Sequence, residues 1–403
     1  MKIRLLLTLF ALLNITISGF SQNTKISFGK GLKFITKDSS MSMKLTFRFQ
    51  TLFVAEQTLT DKGKLADDFT SQFMIRRARI KLDGFVYKPT IQYKVELALS
   101  NRDVGLGKIN GDEVNFNAAS NIILDAVIKW EFAKHTQLWV GQTKLPSNRE
   151  RVISSQKLQF VDRSLLNNEF NLDRDIGMHL RHKTKFGESF TTKEIICVTL
   201  GEGRNVTSHN DDGFCYTGRF EILPFGEFAG GGDYVGSDLE REQKPKLAIG
   251  ATYDYNDNAK RSRGQLGSFI KVDSLVRDIQ SIHTDFMFKF KGFSVMGEYA
   301  KRFVAERLDP SAYYIGTAYN IQAGYLFKNN VELAGRFTEL RPDKWNVSKG
   351  ELIRGDKTTQ FTLGLSKYFV KHNLKIQTDI SSTSMDRNLN KDLMYRCQIE
   401  LQF

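Results

Sequence analysis

Cysteine and proline are scarce in this sequence, three and six residues among 403, and beyond the first 20 or so positions it holds no apolar run of the roughly 18 residues that a spanning helix needs. Cys197, Cys215 and Cys397 are too few and too irregularly spaced for a disulfide framework or a zinc site. Cys197 and Cys215 fall on the polar face of neighbouring candidate strands and could meet across one hairpin, whereas Cys397 sits on an apolar face as a small hydrophobe. The six histidines, His135, His179, His182, His209, His283 and His372, are scattered. His283 and Asp285 share a strand face and His179 lies near Arg181, but neither arrangement has a nucleophile in an obvious place, so catalysis is not expected. No cofactor or metal site is read.

Acidic residues are outnumbered. The formal net charge is +13, and it falls to +11 if Lys2 and Arg4 leave with an export signal. That signal reads as Lys2 and Arg4, an apolar run from Leu5 to about Ile17, then Ser18, Gly19 and Ser21, with cleavage after Ser21. A basic surplus on an exported chain points to anions, anionic saccharides or lipid headgroups and not to nucleic acid.

Glycine (31 residues) and aromatics (12%, with 31 Phe) suit many strands joined by polar turns, and alternation fills the chain. Residues 395–403, YRCQIELQF, put Tyr395, Cys397, Ile399, Leu401 and Phe403 on one side of a strand and Arg396, Gln398, Glu400 and Gln402 on the other. Residues 122–132 set Ile122, Leu124, Ala126, Ile128, Trp130 and Phe132 against Ile123, Asp125, Val127, Lys129 and Glu131. The same template predicts strands near 43–50, 74–87, 91–99, 136–143, 175–183, 190–200, 214–222, 246–255, 282–290, 292–301, 315–327, 330–338, 358–369 and 373–381, about sixteen in all.

Their connections alternate between short (88–90, 133–135, 184–189, 291–292, 328–329, 370–372) and long (55–73, 101–120, 144–174, 201–213, 256–281, 302–314, 339–357, 382–393). Only 223–245 breaks the rule, long and Gly-rich where a short turn belongs. A soluble sandwich has no reason to sort its loops by length. A transmembrane antiparallel β-barrel, apolar face to lipid and charged face to a watery lumen, has tight periplasmic turns and long external loops. The predicted organisation is a signal peptide (1–21), a short periplasmic segment (22–42) and a barrel (43–403) closed by pairing the last strand with residues 43–50.

Residues 31–50, GLKFITKDSSMSMKLTFRFQ, then RRARIKLDG and KVELAL within 76–99, GQTKLP at 141–146, RS at 163–164 and RDIGM at 174–178 resemble the phosphate-selective porin O and P family in order and spacing. The resemblance implies a sixteen-stranded barrel, usually trimeric, that passes small anions such as phosphate through the outer membrane of a Gram-negative bacterium. A terminal aromatic such as Phe403 also resembles the signal read by barrel-assembly machinery.

The longest outward loop, 144–174, is the candidate constriction folded into the pore, carrying Lys144, Arg149, Arg151, Lys157, Arg163 and Arg174 against Glu150, Asp162, Glu169 and Asp173. Its many apolar residues suit packing against the wall. On the strands the densest basic row is Arg77, Arg79 and Lys81, with Arg181 a further pore-lining candidate. Acidic residues on the same faces, among them Asp83, Glu96 and Asp125, point to weakly anion-selective passage more than to a dedicated phosphate site. The competing reading is a non-channel barrel acting as adhesin or polysaccharide-binding surface protein, its loop residues Lys260, Arg261 and Arg263 binding polysaccharide or outer-membrane lipopolysaccharide.

Overall fold

The computed structural model describes residues 28–100, 122–187, 189–206, 213–304, 310–346 and 351–403; the expected signal peptide and the loop 101–120 lie outside them. In chain order the strands are β1 (Leu32–Ile35), β2 (Met41–Leu59), β3 (Thr70–Val86), β4 (Lys88–Ala98), β5 (Ile123–Ala133), β6 (Thr136–Lys144), β7 (Arg174–Phe186), β8 (Phe190–Thr199) and β9 (Cys215–Leu223). There follow β10 (Lys246–Ala259), β11 (Arg277–Phe290), β12 (Phe293–Val304), β13 (Gly316–Leu326), β14 (Val331–Asn346), β15 (Glu351–Arg354), β16 (Thr358–Val370), β17 (Leu374–Met385) and β18 (Asn388–Gln402).

All of these except β1 and β15 form a closed sixteen-stranded antiparallel barrel, the number and class that the alternation predicts. Closure is β18 on β2, with Leu401 opposite Phe49 and Tyr395 opposite Ala55. Phe403 and Phe47 exchange both backbone hydrogen bonds at 2.9 and 3.0 Å, and their rings stack with centroids 5.6 Å apart. β1 then continues along the same edge of β2, pairing Leu32 with Leu45. Removing Phe403 is expected to lower the amount of barrel in the outer membrane more than it alters the conductance of channels that do assemble; unchanged outer-membrane levels would contradict this.

The polarity is inverted relative to a soluble protein. On β16, Phe361 and Leu363 are 62% and 55% exposed on the outside while Gln360 and Thr362 are 6% and 5% exposed within. Among the register shifts between neighbouring strands, those in β3 and β5 re-aim a side chain near the site. In β3, Gln50 faces Arg77 and Thr51 faces Ile75, so Arg76 is the extra residue. In β5, Glu96 faces Asp125 and Leu97 faces Ile123, which leaves Leu124, expected on the lipid side, only 2% exposed within the barrel. The expected loop 382–393 is mostly strand: β17 and β18 meet at Asp386 and Arg387. β14 likewise runs to Asn346 and pairs with β15. Above the lipid neither face has to be apolar, so hydrophobic periodicity fades before the strands do. Cys197 and Cys215 are free thiols, packed with Leu145, Leu172 and Ile195 inside the wall.

Candidate functional site

Residues 145–173 leave β6 and fold into the lumen. They form two short helices, α1 (Arg149–Val152) and α2 (Leu165–Phe170), the second capped by Ser164, whose hydroxyl accepts from the Asn167 amide at 3.2 Å. The apolar residues explain the direction. Ile153 and Leu158 pack on Phe228, Ala248, Met287 and Met296, and Leu166 and Phe170 on Ala300, Ala318 and Leu340. These inward apolar and small wall residues would otherwise face water, so wall and segment bury one another.

Polar anchors fix the crossing. The Arg149 guanidinium donates to Asp285 at 2.8 Å, beside an Arg219 that bridges Asp285 and Glu221. Glu298 accepts from the Glu150 amide at 2.6 Å, and Asp379 accepts from the Val161 amide at 3.1 Å. At the far wall Asp162 is clamped by Arg76 and Arg77, while Arg336 donates to its carbonyl at 2.9 Å. Burial works to raise the Asp162 carboxyl, but Arg77 and Arg76 override it and hold it well below the usual carboxylate range, so the segment carries an ionised anchor there.

The Gly-rich connection that broke the loop-length rule enters the lumen from the short-turn end of the barrel. Lys289 donates to the carbonyls of Val235 and Ser237 at 2.8 and 2.7 Å, and Ser237 donates to Glu332 at 2.6 Å. The two inserts touch: the Gly236 amide donates to the carbonyl of Lys157 at 2.8 Å. A Cβ on Gly236 would lie 2.6 Å from the Gln159 nitrogen, so the contact requires glycine. Together the inserts occupy the side of the barrel toward β9 to β17, where Arg149, Arg219 and Glu221 are fully buried. Along β3 and β4 the lumenal side chains open up away from the clamp: Arg77 is 7% exposed, whereas Lys81 is 39% and Lys94 23% exposed.

Beside the clamp lies a cavity of about 470 Å³ lined by ten basic side chains, Arg76, Arg77, Arg79, Lys144, Arg151, Arg163, Arg174, Arg204, Arg263 and Arg396, and by two acidic ones, Asp162 and Asp173. It gathers six of the residues singled out from sequence: Arg77, Arg79, Lys144, Arg151, Arg163 and Arg174. Lys144 donates to the carbonyl of Arg151 at 2.8 Å, Arg163 to that of Ile153 at 2.7 Å, Arg174 to Asp125 at 3.0 Å, and Arg151 pairs with Asp173. Burial pulls the Arg163 guanidinium down to about 10, which still leaves it charged at neutral pH.

Three expected residues lie elsewhere. Lys81 pairs with Asp83 at 2.8 Å further down the wall, Arg149 is locked in the filled side, and Arg181 lies against Trp139 on β6. The row Arg77, Arg79 and Lys81 is thus interleaved with carboxylates: Arg77 meets Asp162 at 3.3 Å and Arg79 meets Glu96 at 2.9 Å. Sequence reading missed Arg76 because a bulge turns it inward, missed Arg204 because a long loop brings it over the cavity, and assigned Arg263 to polysaccharide binding and not to this lining. The pair His283 and Asp285 has no catalytic geometry, since Asp285 is committed to Arg149 and Arg219. Among the described residues no cluster of three or more His, Cys, Asp or Glu is placed to hold a metal ion.

The model of the phosphate-selective porin O and P family matches residues 44–403. The fold is similar to that of the outer membrane channel DcaP of Acinetobacter baumannii, with TM-score 0.54, 12% identity and coverage of 92% of this chain and 99% of that one. It is also similar to an anion-selective porin from Comamonas acidovorans, with TM-score 0.51, 12% identity and coverage of 90% and 100%. A third similar structure is the trimer form of OmpT from Vibrio cholerae, with TM-score 0.50, 10% identity and coverage of 90% and 99%. No curated sequence matches. The sixteen-stranded closed barrel and the family match over nearly the whole chain lead to one conclusion: the protein belongs to the phosphate-selective porin O and P family and is a porin of the Gram-negative outer membrane.

Proposed function

We propose that this porin passes small hydrophilic solutes passively with a mild preference for anions, through the space between residues 144–174 and the wall near β3 and β4, with the lumenal segment as the constriction. The observation that carries this reading is the excess of ten basic over two acidic side chains around the cavity beside that segment. Such a surplus raises the local concentration of anions and lowers that of cations, and guanidinium forks match the oxygens of phosphate as well as carboxylate.

The preference is mild because many of these cations carry countercharges just behind the lining, Arg77 at Asp162, Arg79 at Glu96, Arg174 at Asp125, Arg263 at Glu169 and Arg396 at Asp379, and Lys81 further down the row has Asp83. Phosphate and polyphosphate are among the solutes admitted, without a site reserved for them. The trimer form of the Vibrio cholerae relative supports a homotrimer, for which a monomeric mass in mild detergent would be the contrary result.

The test is paired efflux from proteoliposomes loaded with chloride and rubidium. Chloride is expected to leave faster, and millimolar phosphate to slow it only partly. Equal or faster rubidium efflux would overturn the anion preference. Complete block by micromolar phosphate would replace mild preference with a dedicated phosphate site.

A further inference from the structure

Most lumenal cations described above are matched by a carboxylate. Lys129 on β5 and Arg181 on β7 are not: each lies 3.9 Å from the ring of Trp139 on the intervening strand β6. Their strands flank β6 on its two sides, Lys129 in register with Trp139 and Arg181 with Gln137. The indole is oriented by its own N–H, which donates to Gln137 at 2.8 Å, and by His179, whose ring stacks nearly parallel at 6.4 Å. Among the described residues neither Lys129 nor Arg181 has an ion pair or a side-chain hydrogen bond, and the buried Arg181 Nε has no acceptor.

The distinction matters for an ion in the pore. An arginine paired with a carboxylate presents a dipole, whose pull on a passing anion fades quickly with distance. A cation held on an aromatic face is held by a quadrupole, so its full unit charge and its N–H donors remain available to the lumen. Trp139 brings two such charges together without adding a negative one. All three residues lie toward the periplasmic ends of their strands, away from the arginine-lined cavity beside Asp162.

Resting on the anion-passage reading above, we propose that Lys129 and Arg181, positioned by Trp139, form a second selectivity centre that favours small anions at the inner mouth of the pore. Trp139 is a positioning residue: it carries no charge, yet without it the two cations are free to swing toward neighbouring carboxylates such as Asp125 and Glu221.

The test is the reversal potential in planar bilayers under a KCl gradient. Lys129→Gln combined with Arg181→Gln is expected to lower the chloride-to-potassium permeability ratio by a factor of about 3. Trp139→Leu, which leaves the formal charge unchanged, is expected to lower the ratio in the same direction, and Trp139→Phe, which keeps an aromatic face, to restore it. An unchanged ratio in the double variant, with wild type still preferring chloride, overturns the second centre alone. A lowered ratio in the double variant with a wild-type ratio in Trp139→Leu overturns the positioning role. Absence of chloride preference in wild type overturns the anion-passage reading itself. Single-channel events of wild-type size report that each variant has folded.

Discussion

Replacing Arg77, Arg79 and Lys81 together by glutamine is expected to remove the chloride preference and carry the channel toward potassium. The three side chains sit 3.3, 2.9 and 2.8 Å from Asp162, Glu96 and Asp83, so their loss uncovers carboxylates as well as deleting cations. A unit charge acts on an ion about 10 Å away with about 0.4 kcal/mol in water, and chloride and potassium feel opposite signs. Three charges therefore separate the two ions by about 2.5 kcal/mol, which screening near 0.1 M salt reduces to about 1 kcal/mol, or about fivefold in the permeability ratio. Asp162 keeps Arg76 as a partner, which is why the lumenal segment should stay docked in this variant. The measurement is the reversal potential under a KCl gradient; a wild-type value would place selectivity outside this row.

The second large effect concerns size and not sign. Arg149→Met is expected to raise single-channel conductance and its fluctuations while leaving the barrel intact. Arg149 is fully buried, donates to Asp285 at 2.8 Å and to the Asp233 carbonyl at 3.0 Å, and so ties residues 145–173 to both the β11 wall and the Gly-rich connection. Its removal leaves buried Asp285 and Glu221 with Arg219 as their remaining close guanidinium, a disruption of the class that costs about 3 to 5 kcal/mol. The barrel hydrogen bonds are untouched by the change, whereas the docking of α1 depends on this anchor. Unchanged conductance with unchanged noise would mean that the hydrogen bonds to Glu298 and Asp379 suffice to hold the segment.

The fold was readable because lipid imposes a rule on every strand. Residues such as Phe361, Leu363, Ile399 and Leu401 must alternate with polar partners, and closure of β18 on β2 follows from an even number of such strands. The rule stops where the lipid stops. The ends of β17 and β18 around residues 382–393 and the far half of β14 carry no apolar period, and a bulge such as that at Arg76 or Leu124 leaves no mark in composition.

The cavity was half readable. The apolar residues Ile153, Leu158, Leu166 and Phe170 in a nominally external loop signalled an inward fold, and six basic residues chosen from the sequence do meet there. Whether a given arginine faces the passage or a countercharge is set by partners far along the chain. Arg149 is taken by Asp285 on β11, while Arg263 arrives from another loop to meet Glu169 at 2.7 Å. The Gly-rich connection 223–245 could be marked as anomalous but not placed, because its docking partners Lys157, Lys289 and Glu332 lie on three separate elements.

The most direct test of the central claim is the reversal potential of the wild-type channel in a planar bilayer between unequal KCl solutions. The excess of basic over acidic side chains beside the lumenal segment predicts the sign that corresponds to chloride moving more readily than potassium, with a ratio well short of exclusion. A potential of the opposite sign, or bilayers in which the purified protein opens no channels, would contradict it.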